Sequence, residues 1–199
     1  SNPDRQRLQR EVSPKLAAFS SDIHADKALF ARIKALWQAR DTLGLTAEEA
    51  RLLMLTRRRF LRAGAALTGP AEARMKEIMA RLAELGTAFT QNLLADEAGW
   101  HMELGEDDLA GLPDFLVTAA RQAGQELGLD GPAITLSRSL VVPFLQFSPR
   151  RDLRERAFNA FVSRGAGGGE HDNRAIAAEI LALREERARL LGYDSFASY

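Results

Sequence analysis

Met75, Ile78, Leu82, Leu85, Phe89 and Leu93 follow one another in steps of three and four across residues 71–97. Only an α-helix brings such positions to one side, because a strand changes face at every residue. The stripe is ~40 Å long at the helical rise of about 1.5 Å per residue. An apolar face of that length has to be covered by other helices. The chain is therefore expected to be mainly α, with its neighbouring segments arranged as an antiparallel helical bundle.

Glycine and proline cut the remaining sequence into blocks of helical length. Residues 4–22 read as polar-rich helix interrupted near Pro14, because a proline disfavours helix just before it. Asp26 is placed to cap the next block, whose Leu29, Ile33, Leu36 and Leu43 keep helical spacing until Gly44. Thr46-x-x-Glu49 spells a capping box, in which hydroxyl and carboxylate each satisfy a free backbone N–H. The helix it opens should bury Leu53, Phe60 and Leu67, and Gly69-Pro70 ends it.

The texture changes near residue 98, the one point that marks a sub-boundary within a single helical lobe of residues 1–199. Trp100–Leu104 alternates, and residues 133–136 are a second short apolar run. These two stretches, about 100–104 and 133–136, are expected to pair as a small two-stranded β ribbon beside the helices. Gly111-Leu112-Pro113 starts a helix to about 127. Residues 139–147 form a short apolar helix around Pro143. Residues 150–164 form another, with Leu153, Ala157, Phe158 and Phe161 inward. Gly165–Gly169 is a flexible break. The last helix, 172–191, carries Ile176, Ile180, Leu183 and Leu190 on one face, with Glu185 and Arg189 paired at i, i+4. After the Gly192 stop, Tyr193 and Phe196 open a new helix that Tyr199 leaves unfinished, as at a junction inside a longer polypeptide.

Composition removes several functions. The 199 residues carry 27 basic and 27 acidic side chains, so no net field draws nucleic acid or anionic lipid. No run approaches the ~18 apolar residues of a membrane span. No secretion signal is visible, and the expected location is cytoplasmic. Cysteine is absent, which excludes disulfides and thiolate metal sites. Arginine strongly outnumbers lysine, a bias of GC-rich bacterial genomes.

The residues that could carry chemistry are few. A zinc hydrolase of the His-Glu-x-x-His type needs two imidazoles one helical turn apart and a carboxylate beside them. The three histidines, His24, His101 and His171, lie far apart in sequence. His101-x-Glu103 has the first half of a deaminase signature but lacks its cysteine pair, and strand alternation accounts for the spacing. Asp172 or Asn173 reads as a helix N-cap. The glycine run at 165–169 lacks the Lys-Ser/Thr of a phosphate-binding loop and is followed by Glu170. Arg57-Arg58-Arg59 points in three directions on a helix, about 100° apart, and makes no single patch. No Gly-x-Ser-x-Gly occurs. Catalytic, cofactor-binding and metal-binding residues are therefore all expected to be absent from this chain.

The order of several weak patterns carries more information than any one of them. They are Phe60-Leu-Arg-Ala-Gly64-Ala-Ala-Leu67, Phe89-Thr-Gln-Asn92-Leu-Leu, Leu109-Ala-Gly111-Leu112-Pro113, and Ile134-Thr-Leu136 followed by Pro143. Then come Arg151-Asp-Leu-Arg154-Glu155, Phe158-Asn-Ala160-Phe161-x-x-Arg164, and Asp172-Asn173 with Leu183-Arg184-x-Glu186. In this order, over roughly residues 20–199, they resemble the thimet oligopeptidase and peptidyl-dipeptidase family of zinc metallopeptidases, family M3, with the peptidyl-dipeptidase and oligopeptidase A branch nearest. Arg138-Ser-Leu-Val-Val142 departs from that branch, whose members often have a proline followed by an aromatic there.

The resemblance implies an almost wholly helical enzyme with a deep channel between two lobes. It implies zinc at the channel floor of the parent protein, held by a His-Glu-x-x-His helix and a further glutamate, none of which maps onto this sequence. The chain would then be an N-terminal lobe without zinc of its own. Its partners would be the catalytic lobe of the same polypeptide and, for the parent, short peptide substrates, with neither nucleic acid nor membrane. The alternative is a self-contained, non-enzymatic helical interaction domain.

Overall fold

The computed structural model describes residues 22–199 throughout and, before them, positions 8, 11, 12, 15, 16 and 19. The helical reading of residues 4–22 therefore falls mostly outside the described residues. The described chain is mainly helical, with one two-stranded antiparallel sheet. Its elements are α1 (Lys27–Ala39), α2 (Ala47–Arg62), α3 (Pro70–Gly99), β1 (His101–Glu103), a 3-10 turn (Glu106–Leu109), α4 (Asp114–Glu126), β2 (Ala133–Thr135), α5 (Arg138–Phe147), α6 (Arg151–Val162) and α7 (Arg174–Leu190). They divide into two compact units, one of residues 1–80 with 184–199 and one of residues 81–183.

In the first unit α1 packs on α2. The Asp26 carboxylate accepts from the N–H groups of Ala28 and Leu29, at 2.8 and 2.9 Å. This satisfies two donors that the first helical turn leaves open. Helix α1 stops at Ala39, short of Gly44. Two side chains explain the early stop: Arg40 Nη1 donates to the Trp37 carbonyl and Thr42 Oγ1 to that of Ala39, both at 2.8 Å. The capping box forms as spelled, with Glu49 N–H on Thr46 Oγ1 and Thr46 N–H on Glu49 Oε2. The Thr46 N–H, and next the Thr46 hydroxyl, both donating to Glu49 Oε2, hold the Glu49 carboxyl below its ordinary range. Phe60 is buried, stacked on Phe30 and tilted against His24, whereas Leu53 and Leu67 are only half-buried. Ile33, Met75, Ile78 and Ala188 complete the buried apolar set.

Residues 193–198 form turns rather than the new helix expected there. A single turn gains too few hydrogen bonds to offset the cost of nucleating a helix. Gly192 does end α7 as expected. It takes φ +82°, and Tyr193 N–H reaches back to the Ala188 carbonyl at 3.0 Å. Phe196 N–H is held by Glu185, which also pairs with Arg189 at 2.9 Å.

The second unit is built around an apolar cluster that includes Met102, Leu116, Ile134, Val141 and Phe144. The ribbon pairs Met102 with Ile134, and both are buried on its inner face, while His101 and Glu103 face outward. Helix α4 packs on β2 and on α5, and α5 on α6. Gly124 permits one of these approaches: a Cβ there would lie 1.9 Å from the Gly131 carbonyl oxygen. Along α6, Leu153 and Ala157 are buried and Phe161 half-buried, but Phe158 is 51% exposed instead of inward. It follows Ala157 directly and so points about 100° away from the face that Ala157 and Leu153 define. In the long stripe Met75, Ile78 and Leu85 are buried, while Leu82, Phe89 and Leu93 are half-buried.

Candidate functional site

The three histidines are held separately. His24 packs against Phe60 in the first unit, with ring centroids 5.1 Å apart. In the second unit His101 is exposed on β1, and His171 lies in the loop before α7. Among the described residues no group of three His, Cys, Asp or Glu side chains could hold a metal ion.

The glycine run is engaged as a helix connection. Gly165 takes φ +68°, and its N–H donates to Asp96 Oδ2 at 2.7 Å. A carboxylate thus occupies the position that a phosphate cradle would leave for its ligand. A Cβ on Gly165 would come within 2.9 Å of Asn173 Nδ2 and 3.0 Å of Leu93 Cδ2. Asn173 is 3% exposed. Its backbone carbonyl accepts from Ala177 N–H, which makes it the N-cap of α7 by position. Its side chain turns toward α3, donating to the Phe89 carbonyl and accepting from Asn92, each at 3.0 Å. The side-chain capping falls to Asp172, which accepts from Arg174 N–H at 2.9 Å. Arg164 pairs with Glu97 beside this network. These groups fix the 163–173 connection against α3.

Ion pairs line both units without forming an acid–base pair. Arg74 makes a two-pronged bond to Glu186 in the first unit, at 2.7 and 2.8 Å. Arg81 does the same to Glu179 in the second, at 2.6 and 3.0 Å. Each arginine lowers its carboxylate's pKa, so both glutamates stay ionised and neither is poised as a general acid near neutrality.

The concave feature with the strongest charge is in the first unit, a cavity of about 880 Å³. Lys27, Arg59, Arg62, Lys76 and Arg187 line it with a single carboxylate, Glu72. Glu72 is already bonded to Lys27 and Lys76, at 2.8 and 3.1 Å, and these bonds lower its pKa. Arg62 and Arg187 both stack on the Tyr199 ring, 4.5 and 4.7 Å from its centroid. No spacing rule could reveal this site, because its cations come from four separate places in the chain, with Arg59 and Arg62 on one helix. Of the Arg57–Arg59 run only Arg59 reaches it; Arg57 lies over Trp37 and Arg58 is exposed, as three directions on a helix require.

The sequence patterns now meet independent comparisons. Residues 144–199 match the family model described as peptidase family M3. Similarity to peptidases extends beyond this segment, over the whole chain. It is 39% identical over 203 residues to dipeptidyl carboxypeptidase of Salmonella typhimurium, covering 100% of this chain and 29% of that protein. It is 34% identical to the Escherichia coli dipeptidyl carboxypeptidase, with 100% and 29% covered. With oligopeptidase A of Haemophilus influenzae the identity is 31%, over 92% of this chain and 28% of the relative. The chain thus spans less than a third of the length of these relatives.

Proposed function

We propose that this chain is the N-terminal helical lobe of a bacterial, cytoplasmic zinc oligopeptidase or peptidyl-dipeptidase. It forms part of the wall of the channel through which short peptides reach a catalytic centre on another lobe of the same polypeptide. One observation carries the reading: whole-chain similarity to dipeptidyl carboxypeptidases and oligopeptidase A that accounts for only about 29% of the first two relatives. The side chains described here do not fit a zinc centre, since no three potential ligands converge. No step of peptide cleavage is assigned to them, and on this reading the catalytic, cofactor-binding and metal-binding residues belong to the other lobe. Its own residues supply rigidity. The Asn173 network and the arginine–glutamate pairs fix helices whose outer faces serve as wall. Among the described residues no helix is long and apolar enough to cross a membrane. The coding sequence beyond Tyr199 is the direct test. A His-Glu-x-x-His some 200 or more residues on supports the proposal; a stop codon after Tyr199 overturns it in favour of a self-contained helical interaction domain.

A further inference from the structure

We infer that the arginine-lined cavity of the first unit is a binding site for a small organic phosphate. Three of its five cations, Arg59, Arg62 and Arg187, have no carboxylate within pairing distance among the described residues, whereas Lys27 and Lys76 share Glu72. Arg187 Nη1 has only the Met79 sulfur, at 3.5 Å. A second observation is independent of this charge count. The Nε atoms of Arg62 and Arg187 are buried and have no hydrogen-bond partner. Buried donors are nearly always satisfied, and an orphan in a folded protein calls for a missing water or ion. Two orphans on the two guanidinium groups that flank one tyrosine ring call for an acceptor with several oxygens.

The chemistry of the ligand follows from the lining. Guanidinium groups present planar pairs of N–H donors that match phosphate and carboxylate oxygens. Three unneutralised cations exceed what one carboxylate's two oxygens can engage, while a phosphate or diphosphate offers more oxygens and at least two charges. The cavity, at about 880 Å³, is in the range of small-molecule sites and far larger than a bare phosphate needs. Met75, Leu67 and Tyr199 give it apolar wall for an organic body. The inference does not depend on the function proposed above.

Titrating the full chain with inorganic pyrophosphate in a calorimeter, in 0.15 M-class salt that screens exposed charges, tests the inference, with citrate as a carboxylate probe of similar charge. The expected result is saturable one-to-one binding of pyrophosphate, at least about tenfold tighter than citrate. Arg187→Gln and Lys76→Gln should each weaken it about tenfold or more, about 1.4 kcal/mol. Arg121→Gln, in the second unit, should leave it unchanged. Lys76 is 71% exposed, so its replacement tests the site even where Arg187→Gln disturbs folding. No saturable binding, equal binding of citrate, or binding indifferent to Lys76→Gln would overturn the assignment.

Discussion

The two units reach stability by different means. The second buries a continuous apolar cluster in which Leu116, Ile134, Val141 and Phe144 are fully inaccessible. The first buries few large side chains and depends on caps, ion pairs and arginine–aromatic stacking around an open cavity. Apolar burial is insensitive to salt and pH, whereas exposed ion pairs are screened. The contrast teaches where this sequence stores rigidity and where it leaves charged groups accessible to a ligand.

The largest expected effect is in the apolar cluster. Phe144→Ala should cost ~3–5 kcal/mol, the usual figure for removing a buried aromatic. Denaturant melts resolved by amide exchange should show the loss concentrated in residues 81–183. An equal loss of protection in both units would break the comparison, because it would make them one cooperative structure. Next, Asn173→Ala should cost roughly 1–3 kcal/mol, since it leaves the Phe89 carbonyl and the Asn92 amide without their buried partner. Asn173→Asp, which replaces the donor with an acceptor, should not restore stability in the same melts. In the first unit Thr46→Ala should cost ~1 kcal/mol through loss of the capping box, read as faster exchange at the start of α2.

The smallest effect is one of pH. The Asp172 carboxyl is held at about 2, against an ordinary 3.8, chiefly by the Arg174 guanidinium and next by Arg174 N–H. A carboxylate lowered on folding stabilises above its ordinary value, and that contribution is lost as the pH falls through its folded value. The second unit should therefore weaken between about pH 4 and pH 2. Asp172→Asn should flatten that dependence in part, because Asp152 is also held at about 2 by Arg150. An unchanged acid titration in the variant would show that the Asp172–Arg174 pair does not persist in solution.

Local rules made much of this fold legible. The Thr46 capping box, the Asp26 cap, the Gly192 stop and the ribbon of His101–Glu103 with Ala133–Thr135 each depend on residues close in sequence or on strict alternation. The exposure of Phe158 is not legible from composition, because hydrophobicity says that a side chain prefers burial, while the helical angle decides whether it gets it. In sequence the Asn173 side chain reads as a local cap, because its partners, Phe89 and Asn92, lie more than 80 residues earlier. The charged cavity had no sequence signature at all, since Lys27, Arg62, Lys76 and Arg187 meet only in three dimensions. The resemblance to family M3 was legible for the opposite reason: the order of seven weak patterns survives even though each is common alone.

The central proposal is that this chain is part of a peptidase whose catalytic chemistry lies elsewhere. Purified protein, dialysed and then assayed for bound zinc and for turnover of a quenched oligopeptide, tests that most directly. The account predicts no stoichiometric metal and no hydrolysis above background. One tight equivalent of zinc, with cleavage that a chelator abolishes, would contradict it.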